Sequence, residues 1–319
     1  MTNKEKYIQF VEQNSDIPLF YQPWWMDTVT KPDHKQWDVV WAHNPQGEIE
    51  AVMAFVIGQK FGLRYALSPQ LTQYTGVWIK DKEGESIKDR LNREKKLQND
   101  IIAQLEEMKI AFFDVKFPLT YTYWSPFYWA GYQQETHYTY RLTDLRDMEQ
   151  VFAGFDYSKQ KQIRKAQESG LRVDYEMSAD EFYDLQCAQL SGRGEGNMWS
   201  RPIVRSIINN SRNRGQGLVA RAKDKEGHTH AAILVVWDKN SSWELISAIH
   251  PEYRASGAST LVVWETMKRM AKETKVWDFE GSMIEAVDNS FRLFGATPVP
   301  FFEISRKDKL LAIIEACKK

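Results

Sequence analysis

A long amphipathic helix between two strand-like segments is the feature that most restricts the fold of this chain. The first strand runs from Trp243 to His250, and the second ends in the segment Asp278-Phe-Glu-Gly-Ser282. In the helix between them, Trp264, Met267 and other apolar residues recur at helical spacing, and charged residues occupy the opposite face. This order of elements predicts an α/β fold.

The turn that joins the first strand to the helix is a candidate anion site. The first N–H groups of a helix have no partner within it and lie at the positive end of its dipole, which suits a phosphate, a pyrophosphate or a developing oxyanion. Within the segment from Arg254 to Ser259, Gly257 would let a ligand approach the backbone, and Arg254 would add a bidentate contact. Small residues equally suit a corner that only packs, so both interpretations stay open.

The elements of the first half of the chain recur in the second half. Each half contains several antiparallel strands, one long helix and a further strand, which is a duplication of architecture rather than of residues. The sequence therefore predicts an α/β protein of the α+β type, with two tandem domains, each a mixed, mainly antiparallel curved sheet flanked by helices. The first domain is expected at 1–144 and the second at 145–306, and a C-terminal helix at 307–319 packs on its own domain or joins the first.

Composition argues against several classes of protein. The 319 residues include 42 Lys and Arg against 43 Asp and Glu, so a DNA-coating protein is not expected. The amino terminus is polar and no apolar run reaches the length of a signal sequence or a membrane span, which favours the cytoplasm. Cys187 and Cys317 show no metal-ligand spacing and predict reduced thiols.

Several short motifs, in the same order over most of the chain, are shared with a known family. They are Phe20-Tyr-Gln-Pro-Trp-Trp25 followed by Val29, Ser158-Lys-Gln-Lys-Gln-Ile-Arg-Lys-Ala166 followed by Gly170 and Val173, Asp278-Phe-Glu-Gly-Ser282, and Phe291-Arg-Leu-Phe-Gly295. In these motifs the chain resembles the FemAB family, whose members have two tandem acetyltransferase folds of the GNAT type. The resemblance implies that both predicted domains are GNAT-like.

The resemblance also implies an activity, the transfer of an acyl group to a primary amine by direct attack. In the characterised branch, the group is an aminoacyl group carried by transfer RNA, and the acceptor is the amine of a bacterial peptidoglycan precursor, a muropeptide. The resemblance implies no metal, no permanently bound cofactor and no covalent enzyme intermediate.

Three cations occupy positions of the family's motifs. Lys159 matches the basic start of a helix, and Arg292 stands where the family's closing element has a lysine. Lys31 loosely matches a lysine that helps to hold substrate phosphates in the family. The chain departs from the family at Arg292, which replaces lysine, and at Pro118, where related sequences tend to have an aspartate.

The basic helix start is a candidate site for a nucleotide diphosphate. Ser158 is expected to be the N-cap, so that the first N–H groups, together with Lys159 and Arg164, would hold the phosphates. Exposed runs of charge usually form a solvated face, and this alternative stays open.

Glu280 is the expected general base, and Arg292 is the second expected catalytic residue. An attacking amine must be neutral, and a carboxylate with a raised pKa could take its proton as the new bond forms. Glu280 lies at the carboxyl end of a strand, where it could act in this way. A structural role is favoured slightly over this one, because Asp278 and Ser282 could form local hydrogen bonds in the same turn.

A pair of histidines alternates in a later strand. His228 and His230 follow Gly227 and point to the same side, as two metal ligands would. No third ligand stands at a suggestive spacing, so a solvent-facing pair in a hairpin is the favoured interpretation, and no metal site is expected.

Two further functions compete with aminoacyl transfer. An N-acetyltransferase that uses acyl-CoA would bind the CoA pyrophosphate at the turn from Arg254 to Ser259 and would need no transfer RNA. A degenerate tandem fold that serves as a binding or scaffold module is favoured by the missing aspartate and by a shortened closing element.

Overall fold

The predicted order of strands, long helix and further strand occurs once in each of two units. The structure, a computed structural model, describes residues 3–14, 16–192 and 194–308. Unit 1 comprises the described residues up to His137 together with those from Pro300, and unit 2 runs from Tyr138 to Val299. The sequence placed the change of domain after residue 144 and the end of the second domain at residue 306. Cys317 and the predicted C-terminal helix beyond Asp308 lie outside the described residues.

Unit 1 is a mainly antiparallel sheet with helices packed against it. Its helices are α1 (Asn3–Gln13), α2 (Pro23–Thr30), α3 (Ile87–Glu107) and α4 (Ser125–Trp129), and its strands are β1 (Gln36–His43), β2 (Ile49–Lys60), β3 (Leu63–Leu67), β4 (Trp78–Ile79) and β5 (Ile110–Lys116). β1, β2 and β3 pair in antiparallel fashion, whereas β3 and β5 pair in parallel because α3 crosses between them. Strands β6 (Gln133–Leu142) and β12 (Thr297–Lys307) each span the boundary between the units, and within unit 1 β12 pairs antiparallel with β5.

The sequence predicts a helix from about Ser86 to Met108, and the long helix of unit 1, α3, begins at that place. The Ser86 hydroxyl accepts the N–H of Asp89 at 3.2 Å, which satisfies one of the unpaired donors of the first turn. Leu97, Ile101 and Leu105 form the buried stripe of α3.

The β-branched and aromatic residues of the segment from Tyr74 to Ile79 predict a strand, and this prediction is wrong for all but the last two residues. The N–H groups of Thr75 and Gly76 both donate to the Lys116 carbonyl, and the Tyr21 hydroxyl donates to the Gly76 carbonyl at 2.7 Å. These bonds hold the segment as a buried loop. On the side away from β1, β2 pairs instead with β3, a strand that the sequence analysis did not identify.

Unit 2 repeats the arrangement with one more antiparallel strand. Its helices are α5 (Met148–Ala153), α6 (Tyr157–Glu168), α7 (Ala179–Ser191), α8 (Arg201–Asn213), α9 (Ala258–Met270) and α10 (Glu285–Arg292), and its strands are β7 (Arg172–Asp174), β8 (Gly217–Lys223), β9 (Thr229–Trp237), β10 (Ser241–Ile249) and β11 (Val276–Asp278). β7 to β10 pair in antiparallel fashion, β11 joins β10 in parallel after α9, and the end of β6 pairs antiparallel with β11.

The core of unit 2 lies between α9 and the sheet. Leu261, Met267 and Met270 are almost fully buried against Ile233 and Val235 of β9. The mixed, mainly antiparallel sheets flanked by helices confirm the predicted fold class. Within the described residues, the helices lack the combination of length and apolar character that crossing a membrane requires.

Candidate functional site

A gap between two parallel strands of unit 2 is the centre of the candidate site. β10 pairs with β11 only from Ser241 to Trp243, although β10 stays paired with β9 as far as Ile249. In the described part of the chain, no strand pairs with β10 on the β11 side beyond Trp243. A backbone edge is therefore available to an extended ligand between Glu244 and Ala248, whereas the N–H of Ile249 already donates to the Gln189 side chain at 2.5 Å.

Glu244 lies at the mouth of this gap. It follows Trp243, the last residue of β10 to pair with β11, and the register of β10 against β9 shifts just after it. The side chain is half-buried, and its Oε2 atom is buried without a hydrogen-bond partner among the described residues. Burial raises the pKa of Glu244 to about 7, and the Lys159 ammonium acts in the opposite direction. A carboxylate with such a pKa can accept a proton near neutrality.

Lys159, on the first turn of α6, is the charged group that acts on Glu244. The side chain is 8% exposed, its Nζ donates to the Ser290 hydroxyl of α10 at 3.1 Å, and the same atom lies 4.3 Å from the centre of the Phe294 ring. Burial lowers the pKa of Lys159, whereas Glu244 raises it. The residue is thus buried, in contrast to the exposed side chains of Lys161, Arg164 and Lys165 on the same helix.

The first turn of α6 differs from the prediction in its cap. Asp156, and not Ser158, is the N-cap, and its Oδ1 accepts the N–H of Ser158 at 2.8 Å. The helix therefore begins before Ser158, and the aspartate side chain satisfies one of the unpaired N–H groups of its first turn.

Helix α10 brings Arg292 to the same region of unit 2. The Arg292 Nε atom lies 3.0 Å from Asp288 Oδ2, and the Tyr140 hydroxyl donates to the other oxygen of that carboxylate. The Arg292 side chain is 56% exposed, so a substrate anion could reach its guanidinium. The sequence predicts a short helix over 289–294, whereas α10 begins earlier, at Glu285, so that Glu285 and Asp288 lie at the positive end of its dipole.

Glu280 lies in a tight turn directly after β11. Its N–H donates to Asp278 Oδ1 at 2.8 Å and its backbone adopts φ 60, so local hydrogen bonding by Asp278 is confirmed for this turn. Asp278 itself is fully buried, with Arg141 Nε 3.2 Å from Oδ2 and the Thr139 hydroxyl 2.5 Å from Oδ1. The catalytic role of Glu280 stays a prediction.

The turn before α9 contains the candidate anion site. Gly257 is the N-cap with φ 79, and a Cβ at this position would lie 2.5 Å from the Gln162 carbonyl oxygen of α6. The glycine is therefore required by helix packing, whether or not it also admits a ligand. The Ser256 hydroxyl accepts the N–H of Ala258 at 3.2 Å, and the N–H groups of the next two residues are left without a partner within the helix.

Two cations lie at this turn. Arg254 is exposed, and Lys165 Nζ of α6 donates to the Ala255 carbonyl at 3.2 Å. The positive end of α9, with Ser259 on its first turn, thus coincides with two positive side chains, which favours an anion.

The other predicted phosphate ligands have different surroundings. Arg164 is exposed on α6 and contacts Gln160 at 3.3 Å, and Lys31 belongs to unit 1, where it pairs with Asp27 at 2.9 Å. Their predicted roles remain predictions.

Sequence analysis did not single out Glu244. The available signal was a single acidic residue in the otherwise uncharged strand Ser241–Ile249, close to where the chain would meet the end of a parallel neighbour. A half-buried charge in such a strand needs a structural or chemical reason.

Residues 155–280, which contain Lys159, Glu244 and the turn before α9, match the sequence family described as an acetyltransferase (GNAT) domain. The matched residues lie within unit 2. The match covers less than half of the chain. It confirms the predicted class of enzyme, an acyltransferase, without identifying the donor or the acceptor.

Solved structures show that the likeness extends over both units. FemX superposes with a TM-score of 0.70 at 12% identity, covering 95% of this chain and 96% of FemX. A tandem GNAT protein from the clavulanic acid biosynthesis pathway reaches 0.53 at 11% identity, covering 94% and 92%. L-PGS from Bacillus licheniformis reaches 0.53 at 9%, covering 96% and 92%. The tandem GNAT fold and the expected likeness to FemAB proteins are thereby confirmed at the level of the fold. No curated protein matches the chain in sequence.

Proposed function

We propose that the chain is an N-acyltransferase whose GNAT domain in unit 2 transfers an acyl or aminoacyl group to a primary amine. The observation that carries the proposal is Glu244, a half-buried carboxylate with a pKa of about 7, at the mouth of the gap between β10 and β11. The family match over the same residues supports the class of reaction.

The reaction requires one bond to form and one to break. The nitrogen of a neutral amine attacks the acyl carbonyl carbon, forms the C–N bond and gives a proton to the ionised Glu244 carboxylate. The C–S bond of a thioester, or the C–O bond of an aminoacyl ester, then breaks, and the proton passes from Glu244 to the leaving group directly or through water. The amide and the free carrier are the products, and Glu244 is ionised again.

The donor is expected to carry phosphates. The first turn of α9, with Arg254 and Lys165 beside it, suits the pyrophosphate of an acyl-CoA, and the open edge of β10 suits the extended arm of that carrier. Aminoacyl-tRNA is the second candidate donor, because it also carries an activated acyl group and phosphates. The acceptor is proposed to be a small-molecule amine or a muropeptide amine, and the cytoplasm is the compartment where such donors are available.

Thermal-shift titrations with acetyl-CoA, free CoA, an aminoacyl-tRNA and a UDP-linked muropeptide test this proposal. A ligand that binds only the folded state raises the free energy of unfolding by RT ln(1 + L/Kd), where L is the concentration of free ligand, and the unfolding temperature rises with it. We expect acetyl-CoA and CoA to stabilise the protein, and we expect Arg254→Gln to weaken that effect by about 5-fold to 10-fold in affinity.

Arg172→Gln, at an exposed position on β7, is the matched control and should leave CoA binding unchanged. Stabilisation by aminoacyl-tRNA and muropeptide without any response to CoA would assign the donor to transfer RNA. If the protein binds a partner protein and transfers an acyl group from neither donor, the proposed acyltransferase function is wrong and a scaffold function is favoured.

Replacing Lys159 by methionine is expected to move the acidic limb of the pH–rate profile upward by about one unit. The ammonium favours the ionised form of Glu244, so without it the pKa of that carboxyl rises further above 7. Measurement of kcat/KM from pH 6 to pH 9 checks this. Lys161→Met, an exposed position on the same helix, is the control, and a profile that moves equally in both variants would contradict a role for Lys159 at the site.

A further inference from the structure

The hairpin between β8 and β9 gathers acidic and imidazole side chains that acyl transfer does not use. Asp224 Oδ1 accepts the N–H of His228 at 2.8 Å, which closes the hairpin. Asp224 Oδ2 lies 3.0 Å from His228 Nδ1 and 3.2 Å from His230 Nε2. One carboxylate oxygen is thus faced by two imidazole nitrogens.

Glu226 completes a set of possible metal ligands. One ligand atom from each of Asp224, Glu226 and His228 can be chosen so that all three lie within 4.8 Å of one another. The sequence analysis identified no third ligand beside the two histidines, whereas the structure brings Asp224 and Glu226 of the connecting turn close to His228. Two carboxylates and an imidazole are a donor set that suits a divalent transition-metal ion such as Zn²⁺.

His230 holds the Asp224 carboxylate from the buried side of the hairpin through its Nε2 atom. Its side chain is directed at Asp224, the residue is only 8% exposed, and its Nδ1 is buried without a hydrogen-bond partner among the described residues. The ring is fixed by Tyr253, which stacks on it with a 3.8 Å centroid distance and a 5° interplanar angle. The expectation of a solvent-facing pair is therefore wrong for His230, since Tyr253 covers it, and holds only for His228.

We propose that this hairpin binds one divalent transition-metal ion through Asp224, Glu226 and His228, with His230 holding the Asp224 carboxylate in place. The ion neutralises the two carboxylates that the turn brings together. Carboxylates that ligate a metal are in turn hydrogen-bonded by the surrounding protein, and His230 is such a partner for Asp224. The exposed side of the hairpin leaves coordination positions for water.

The position of the hairpin gives metal binding a consequence for unit 2. Tyr253, which stacks on His230, immediately precedes Arg254 at the turn before α9. Fixing the hairpin therefore also fixes one end of that turn. The metal site does not depend on the acyltransferase proposal, because its residues and its test are separate from the gap beside β10.

Competition between the tag-free protein and a chromogenic chelator for Zn²⁺ tests the proposal. We expect one Zn²⁺ per chain with micromolar affinity and a higher unfolding temperature in its presence, whereas Mg²⁺ and Ca²⁺ have no effect. Glu226→Gln and His228→Gln should each weaken Zn²⁺ binding by at least about 10-fold. Both side chains are exposed, so these variants are expected to fold normally.

His43→Gln combined with Glu83→Gln, two exposed positions of the same chemistry in unit 1, is the matched control and should bind Zn²⁺ as the unchanged protein does. The proposal is overturned if the protein does not compete with the chelator. It is equally overturned if both hairpin variants bind Zn²⁺ as tightly as the unchanged protein, because the ion would then occupy another place, such as the Cys187 thiol.

Discussion

Replacing Glu244 by glutamine is expected to lower kcat by about 10²-fold to 10⁴-fold, the usual contribution of a general base. Glutamine keeps the size of the side chain and removes its ability to accept the proton of the amine. The variant should still bind CoA, since the turn before α9 is unchanged. Stopped assays of acyl transfer at saturating donor measure the loss directly.

The same substitution is expected to stabilise the folded protein above neutral pH. The folded-state pKa of Glu244 is about 7, against an ordinary value of 4.5. Between these two values the folded protein holds a proton that the unfolded chain has released, so the free energy of unfolding falls as pH rises. Above pH 7 the full cost of the buried charge remains, up to about 3 kcal/mol for this half-buried group. Glu244→Gln removes that cost.

Urea unfolding at pH 5 and pH 8 measures the effect of Glu244→Gln on stability separately from its effect on turnover. The stability of Glu244→Gln should exceed that of the unchanged protein at pH 8 and approach it at pH 5. Glu168→Gln, an exposed glutamate on α6, should change neither stability nor turnover. Full activity of Glu244→Gln would exclude this residue as the base and return Glu280 to that role.

Much of the fold could be predicted because its signals are local. The apolar stripe of α3, its Ser86 cap and the apolar face of α9 can each be recognised from residues that are close together in the sequence. Strand β3 and the loop that follows it escaped prediction because their structure depends on distant partners, such as the Lys116 carbonyl that accepts both Thr75 and Gly76. The sequence carries no local sign of such a bond.

The candidate site was less predictable than the fold for the same reason. Lys159 belongs to a run of cations that is otherwise exposed, and it is buried by contacts with Ser290 and Phe294, more than 130 positions later in the chain. Gly257 was predicted as a place for ligand approach, yet the nearest atom to a side chain there would be the Gln162 carbonyl oxygen. Glu244 acquires its significance from where β11 stops pairing, which no residue of β10 encodes.

Gly281 is the position where the smallest substitution is expected to cost most stability. Its φ is 71, and a Cβ there would overlap the backbone of Tyr138 and Thr139 in β6. Backbone atoms cannot rotate away as a flexible side chain can. Gly281→Ala should therefore lower the free energy of unfolding by more than about 4 kcal/mol, beyond the range of ordinary substitutions.

A second glycine serves as a control that separates the cost of steric overlap from the cost of a positive φ. Gly215 also has a positive φ, 65, but nothing lies within 4 Å of a Cβ built there, so Gly215→Ala should cost only about 1 kcal/mol. Urea unfolding of both variants measures the difference. A much larger loss of stability for Gly281→Ala than for Gly215→Ala would mean that the turn after β11 packs tightly against β6. That packing fixes Asp278 between Thr139 and Arg141. Equal costs would mean that β6 moves away to accommodate the added methyl group.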